Sequence, residues 1–261
     1  MRTDLPTGAG PRSNKLAVLF DDDAGRGKRM RTIASWATAM VLLLAPPAFA
    51  DLVSRYAVAG RNSNGTSYTG TIAFKPAGQV YHLDFTGGDG GKFSGLAIEY
   101  KNFLALAVIA SDRSGNLAIY KRAGDAWIGL FSDYEEHNLG TEAFYNENAP
   151  DLPDPKQPKS GRPAGMYVIS GTNPDGSTYR GEGEVTPWSA AFDVRRTIGK
   201  EETTGTAVAF DGALAMNVAQ EGDTRAKIGV LGLLIPDGNG FLGVWSRPGS
   251  QRLGAERWVR K

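Results

Sequence analysis

From Tyr56 onward the chain alternates apolar and polar residues in short runs: Tyr56/Val58, Ile72/Phe74, Tyr81/Leu83/Phe85, Leu96/Ile98/Tyr100, Leu104/Leu106/Val108, Leu117/Ile119 and Ile128/Leu130. A period of two sends successive side chains to opposite faces of a pleated strand, so these runs predict half-buried β-strands. Turn formers separate them about every ten residues, as "NSNG", "PAG", "GGDGG", "KN", "DRSGN" and "AGD". Beyond residue 50 no window of a dozen residues has apolar positions at helical spacing. The expectation is an all-β protein.

The pattern occurs twice. "YAVAGRNSNGTSYTG" (Tyr56 to Gly70) aligns without a gap on "YVISGTNPDGSTYRG" (Tyr167 to Gly181). The echo continues through Pro76/Pro187, Gly95/Gly205, "LALAV"/"LAMNV" at Leu104 and Leu214, Phe131/Trp245, and "LGTEAF"/"LGAERW" at Leu139 and Leu253. Matches in one order over some 90 residues identify a tandem duplication. In the second copy Asn173-Pro174-Asp175-Gly176 reads as a hairpin tip, because Pro presets φ, Asp suits the next position and Gly tolerates the left-handed geometry that follows.

Between the copies, Asn146 to Gly165 holds five prolines. Proline cannot donate to a ladder and favours extended, solvated backbone, so this segment reads as a semi-rigid linker between separately folded units. The expected organisation is residues 51–145 as repeat 1, 146–165 as linker and 166–261 as repeat 2. A long crossover within one merged core is the competing arrangement. About eight strands per copy, joined by tight turns, fit an up-and-down meander, and closure removes the edges that invite aggregation. Each copy is therefore expected to be a small antiparallel eight-stranded barrel of the calycin or avidin-like type, with a flat sandwich as the alternative.

Residues 1–50 stand apart. From Met30 the chain carries Arg31, an apolar stretch around "MVLLLA" and then Ala48-Phe49-Ala50, the basic, apolar and small-residue regions of a secretory signal peptide cleaved between Ala50 and Asp51. The apolar run is shorter than the roughly 20 residues a membrane crossing needs. Residues 1–29 read as a long leading region or an upstream start, and the destination as periplasm or extracellular space.

Beyond residue 50 the chain carries 22 Lys and Arg against 24 Asp and Glu. No basic stripe is present, which argues against nucleic-acid binding. Cysteine is absent, which excludes a disulfide framework and thiolate metal sites. "GGDGGKFSG" has the wrong spacing for a phosphate loop, with Phe93 where Ser or Thr is needed, and reads as a turn. The two histidines, His82 and His137, have no counterparts in the second copy, and His137 with Asp133, Glu135 and Glu136 is too sparse for a zinc site. No cofactor is implied.

The residues shared by both copies carry more weight: Tyr56/Tyr167, Tyr68/Tyr179, Phe131/Trp245 and Glu142/Glu256. Matched aromatics with one carboxylate are candidates to line a ligand mouth in each barrel, the rings supplying area and Glu orientation. The competing assignment makes the tyrosines core plugs and Glu a rim acceptor.

The pattern Y-x-[VI]-x-G-x-N-x-x-G-[ST]-[ST]-Y-x-G with G-x-[FW] and LG-x-E resembles a repeat in small exported bacterial proteins, some labelled fibronectin-binding. It covers Tyr56 to Phe144 and Tyr167 to Trp258. The Gly-x-Trp ending is also similar to avidin-like barrels, but Phe131 stands at the Trp245 position in the first copy, so biotin binding does not carry over. The resulting expectation is an exported, non-enzymatic binding protein for a small ligand. The alternatives are an adhesin for an extracellular protein such as fibronectin and a periplasmic hydrolase working through the loop around His137.

Overall fold

The computed structural model describes residues 52, 54–134, 137–146, 163–220 and 227–261. The expected signal peptide with its expected cleavage between Ala50 and Asp51, most of the expected linker, and Glu135 and Glu136 lie outside the described residues. The described chain is all β, and each copy closes into a barrel of consecutive antiparallel strands. The first barrel comprises β1 (Arg55–Arg61), β2 (Ser67–Ala77), β3 (Val80–Gly87), β4 (Lys92–Tyr100), β5 (Phe103–Ala110), β6 (Gly115–Ala123), β7 (Ala126–Asp133) and β8 (Leu139–Tyr145). The second comprises β9 (Gly165–Thr172), β10 (Thr178–Trp188), β11 (Ala191–Ile198), β12 (Glu201–Phe210), β13 (Ala213–Gln220), β14 (Val230–Asp237), β15 (Gly240–Ser246) and β16 (Gly254–Arg260). First and last strands pair, β1 with β8 and β9 with β16, so neither barrel has an open edge.

The repeated N-x-x-G motif is the tip of the first hairpin in each barrel. Gly65 N–H donates to Asn62 O and Gly176 N–H to Asn173 O, both at 2.9 Å. The side chains of Asn64 and Asp175 accept from the backbone of Thr66 and Ser177, again both at 2.9 Å. The two glycines sit at φ 86° and 90°, where a β-carbon is strained.

One end of the first barrel is filled by aromatic rings. Tyr56, Phe74, Tyr81 and Phe144 form a chain of edge-on and tilted contacts, with Tyr120 against Phe144 at 4.2 Å. Trp127 joins the same buried cluster. The second barrel is packed there by Tyr167, Phe241 and Trp258.

A further apolar cluster belongs to neither interior. Leu96, Ile98, Ala105, Ala107, Leu117, Ile119 and Leu130 of the first barrel pack with Val208, Ala213, Ala215, Leu231, Leu233 and Val244 of the second. Here the pattern of half-buried strands is superseded: the alternating leucines and isoleucines of β4 and β6 point out of their barrel, while Ala97, Ala118 and Tyr120 point in. Both faces of these strands are buried because the second barrel covers the outer one. The barrels thus share a core.

This interface has approximate two-fold symmetry. β4 lies against β14 as its counterpart β12 lies against β6, and β5 against β14 as β13 against β6. The β2–β3 turn meets the β15–β16 loop, where Gln79 N–H donates to Gln251 O at 2.8 Å and Leu253 N–H to Gln79 Oε1 at 3.0 Å. In the corresponding place, His137 of the β7–β8 loop stacks on Trp188 at the β10–β11 turn.

Candidate functional site

Glu142 of β8 lies between two glycines, Gly60 on β1 and Gly129 on β7. With no side chain on either, the next strands' tyrosines can fold across. Tyr68 pairs with Gly60, and Tyr120 pairs with Gly129. A β-carbon on Gly60 would lie 2.3 Å from the Tyr68 ring, and one on Gly129 2.6 Å from Tyr120. Both phenols reach Glu142: Tyr68 donates to Oε2, and Tyr120 donates to Oε1 at 2.5 Å. Phe131 lies on Gly140 in the same manner and meets Tyr68 edge-on.

The carboxylate stands at the inner end of an open cavity of about 550 Å³ at the mouth of the first barrel. Its walls include Tyr68, Phe85, Phe93 and Phe131, and Asn62, Asp89 and Asn116 bring polar groups to its lining. This volume and its mixture of aromatic wall and few polar groups are those of small-molecule sites. Burial pushes the Glu142 carboxyl up to about 7, against the opposing pull of its hydrogen bonds from Tyr120 and Tyr68. Burial and the facing Glu142 raise both phenols, so they remain donors.

The second barrel repeats the frame with different occupants. Glu256 is flanked by Gly171 and Gly243, and Tyr179 folds over Gly171 to donate to Oε1 at 2.6 Å. Leu234 replaces Tyr120, pairing with Gly243 as Tyr120 pairs with Gly129. Trp258 Nε1 donates to Oε2 at 2.8 Å, where Phe144 of the first barrel has nothing to give. The Arg196 guanidinium of β11 also forms a buried ion pair with Oε1. Buried Trp245 lies on Gly254 as Phe131 lies on Gly140.

Of the shared residues singled out from sequence, the structure brings together Tyr68, Phe131 and Glu142 in one barrel, and Tyr179, Trp245 and Glu256 in the other. Tyr56 and Tyr167 go to the packed ends: Tyr56 against Phe74 and Phe144, Tyr167 under Arg260 with its phenol donating to Pro163 O. Tyr120 and Arg196 escaped a reading based on shared residues because their counterparts are Leu234 and Phe85. The available signal was weak: a polar residue at an inward strand position of an otherwise apolar interior.

His137 is buried between the barrels, its Nε2 3.0 Å from Thr206 Oγ1 and 3.5 Å from Asp193 Oδ1. Hydroxyl and carboxylate thus meet the same ring nitrogen, whereas a nucleophile–base–acid relay places them on opposite ones. Among the described residues no group of three or more His, Cys, Asp and Glu is arranged to hold a metal, and no helix is long and apolar enough to cross a membrane. No protein-family model matches the chain, and neither does any curated protein.

Proposed function

We propose that the protein is an exported, non-enzymatic binding protein that takes a small molecule into the mouth of its first barrel. The observation that carries this reading is the aromatic-walled cavity of about 550 Å³ with Glu142 at its inner end. Keeping such a space open forfeits the dispersion contacts that side chains from opposite walls would make. The second barrel supports the contrast, since its matching carboxylate is engaged by Arg196, Tyr179 and Trp258. Export rests on the Met30 to Ala50 segment, and N-terminal sequencing of protein recovered outside the cytoplasm should begin at Asp51.

Two considerations favour binding over the alternatives. Closed barrels offer no free strand edge for an extracellular protein to extend, which weighs against adhesion by strand addition. The His137 cluster is interfacial and lies apart from the lining of the first barrel's cavity, which weighs against hydrolysis there.

The test is an unbiased mass-spectrometric search for molecules that co-purify with the wild-type protein and are lost from Asn116→Trp, a substitution that narrows the mouth. A protein that carries nothing from its native compartment, and binds an extracellular protein equally well with and without Asn116→Trp, would make it an adhesin instead.

A further inference from the structure

The two barrels are two versions of one site, and the second contains what the first lacks. Strand register equates Phe85 on β3 with Arg196 on β11: Phe85 pairs with Ile72 and Phe93, and Arg196 with the matching positions Gly183 and Thr203. From that position Arg196 turns inward, buried at 6% side-chain exposure, and meets Glu256 with its guanidinium. The first barrel has the same carboxylate in the same glycine frame, but the residue on the neighbouring wall is a phenylalanine and the space beside it is cavity. Among the described residues, Glu142 receives only neutral donors, the two phenols. Four aromatic rings, Tyr68, Phe85, Phe93 and Phe131, surround the approach, and the faces of such rings attract cations.

We infer that the first barrel binds an organic cation, a primary ammonium or guanidinium group carried on an apolar, ring-sized body, with the charged group against Glu142 where the second barrel places its own Arg196. This rests on the reading of the mouth as a small-molecule site and names the class of ligand. The body lies among the phenyl rings, and Asn62, Asp89 and Asn116 are available to any polar group left towards the rim. The second barrel is a self-occupied copy in which the chain itself supplies the cation, leaving one ligand per molecule.

Three indoles of nearly equal size separate the possibilities: tryptamine, tryptophol and indole-3-acetate, titrated calorimetrically at pH 8 into the intact mature chain. Tryptamine is expected to bind one to one and at least about tenfold more tightly than tryptophol, the difference a charge-assisted hydrogen bond makes. Indole-3-acetate is expected not to bind. Glu142→Gln should bring tryptamine down to the tryptophol level, and Phe85→Arg, which copies the second barrel, should abolish tryptamine binding while the circular dichroism stays strand-like. Equal affinity for tryptamine and tryptophol, or tryptamine binding that survives both substitutions, overturns the cation assignment yet leaves the mouth as a small-molecule site. If none of the three binds, the cation assignment fails, and the co-purification search alone then decides whether the mouth takes small molecules.

Discussion

Phe85 and Arg196 occupy the same position in their respective barrels, and the difference between them decides whether the buried glutamate ahead of them faces a cavity or an ion pair. The flanking glycines, the tyrosine folded over one of them and the aromatic ring on the glycine near the start of the last strand are shared, while Leu234 and Trp258 stand where the first barrel has Tyr120 and Phe144.

Arg196→Ala leaves Glu256 buried without its cation. Removing one partner of a buried pair costs about 3–5 kcal/mol, because the remaining charge stays desolvated. Adding Glu256→Gln to that variant should recover part of the loss. Chemical denaturation of the two variants checks this. A double variant no more stable than Arg196→Ala would show that the charge of Glu256 is not what the arginine offsets.

The stability of the first barrel should depend on pH through Glu142. Burial pushes its carboxyl up to about 7 in the folded protein, from an ordinary value of 4.5. A folded-state value above the unfolded one means the folded protein holds the proton more tightly, so this contribution is complete below about 4.5 and is lost as pH rises to about 7, on the order of 3 kcal/mol in all. Glu99, also raised to about 7 chiefly by burial and pulled back by Arg122, acts in the same direction. The groups facing Glu142 are Tyr68 and Tyr120, with Asp89 also in the cavity lining. Melting temperatures from pH 5 to 8 should therefore fall less steeply in Glu142→Gln, and least in Glu99→Gln/Glu142→Gln. Parallel profiles for wild type and both variants would contradict the titration.

The glycine under each tyrosine should resist any side chain. A β-carbon at Gly171 would lie 2.3 Å from the Tyr179 ring and 2.8 Å from the Ala255 carbonyl oxygen, which is backbone and cannot swing aside. Gly171→Ala is expected to cost about 1–3 kcal/mol by overpacking. A midpoint unchanged in urea would mean the ring moves freely, and the clamp on Glu256 is looser than described.

Trp245→Ala removes a ring that is 8% exposed and lies against Gly254 and Tyr179. Deleting a buried aromatic costs about 3–5 kcal/mol, whereas a ring standing in solvent would cost about 0.5 kcal/mol or less. Denaturation midpoints distinguish the two, and the larger loss is expected.

Residues 51–147 produced alone should self-associate. The face that Leu96, Ile98, Leu117 and Ile119 present to the second barrel is apolar, and the interface has approximate two-fold symmetry, so another copy of the same half can take the absent partner's place. Sedimentation should show a dimer that Ile119→Asp converts to monomer or unfolds. A stable wild-type monomer would mean that the shared core is dispensable to folding.

The elements and their duplication were legible along the chain because both are local. Alternation such as Leu104/Leu106/Val108 reports a strand wherever it occurs, N-x-x-G closes a hairpin through backbone preferences of four residues, and order-preserving matches need no geometry. Part of the site was legible for the same reason, since Tyr68, Phe131 and Glu142 recur as Tyr179, Trp245 and Glu256. Repetition, however, selects what the copies share, and the difference between the sites lies in what they do not: Tyr120 against Leu234, and Phe85 against Arg196.

Two decisions belonged to the tertiary structure alone. The face of a strand that looks inward is not written in its alternation: Leu96 and Ile98 have the same period as Leu104 and Leu106, yet the first pair packs between barrels and the second within one. Only the presence of the other barrel, burying the outer face, makes both arrangements apolar. Likewise, whether a buried carboxylate meets a guanidinium or a cavity depends on strand register, which brings residues 85 and 142, or 196 and 256, to the same barrel interior across some 60 intervening residues. Sequence determined the strands, the turns and the repeat; closure and packing determined which of their side chains meet.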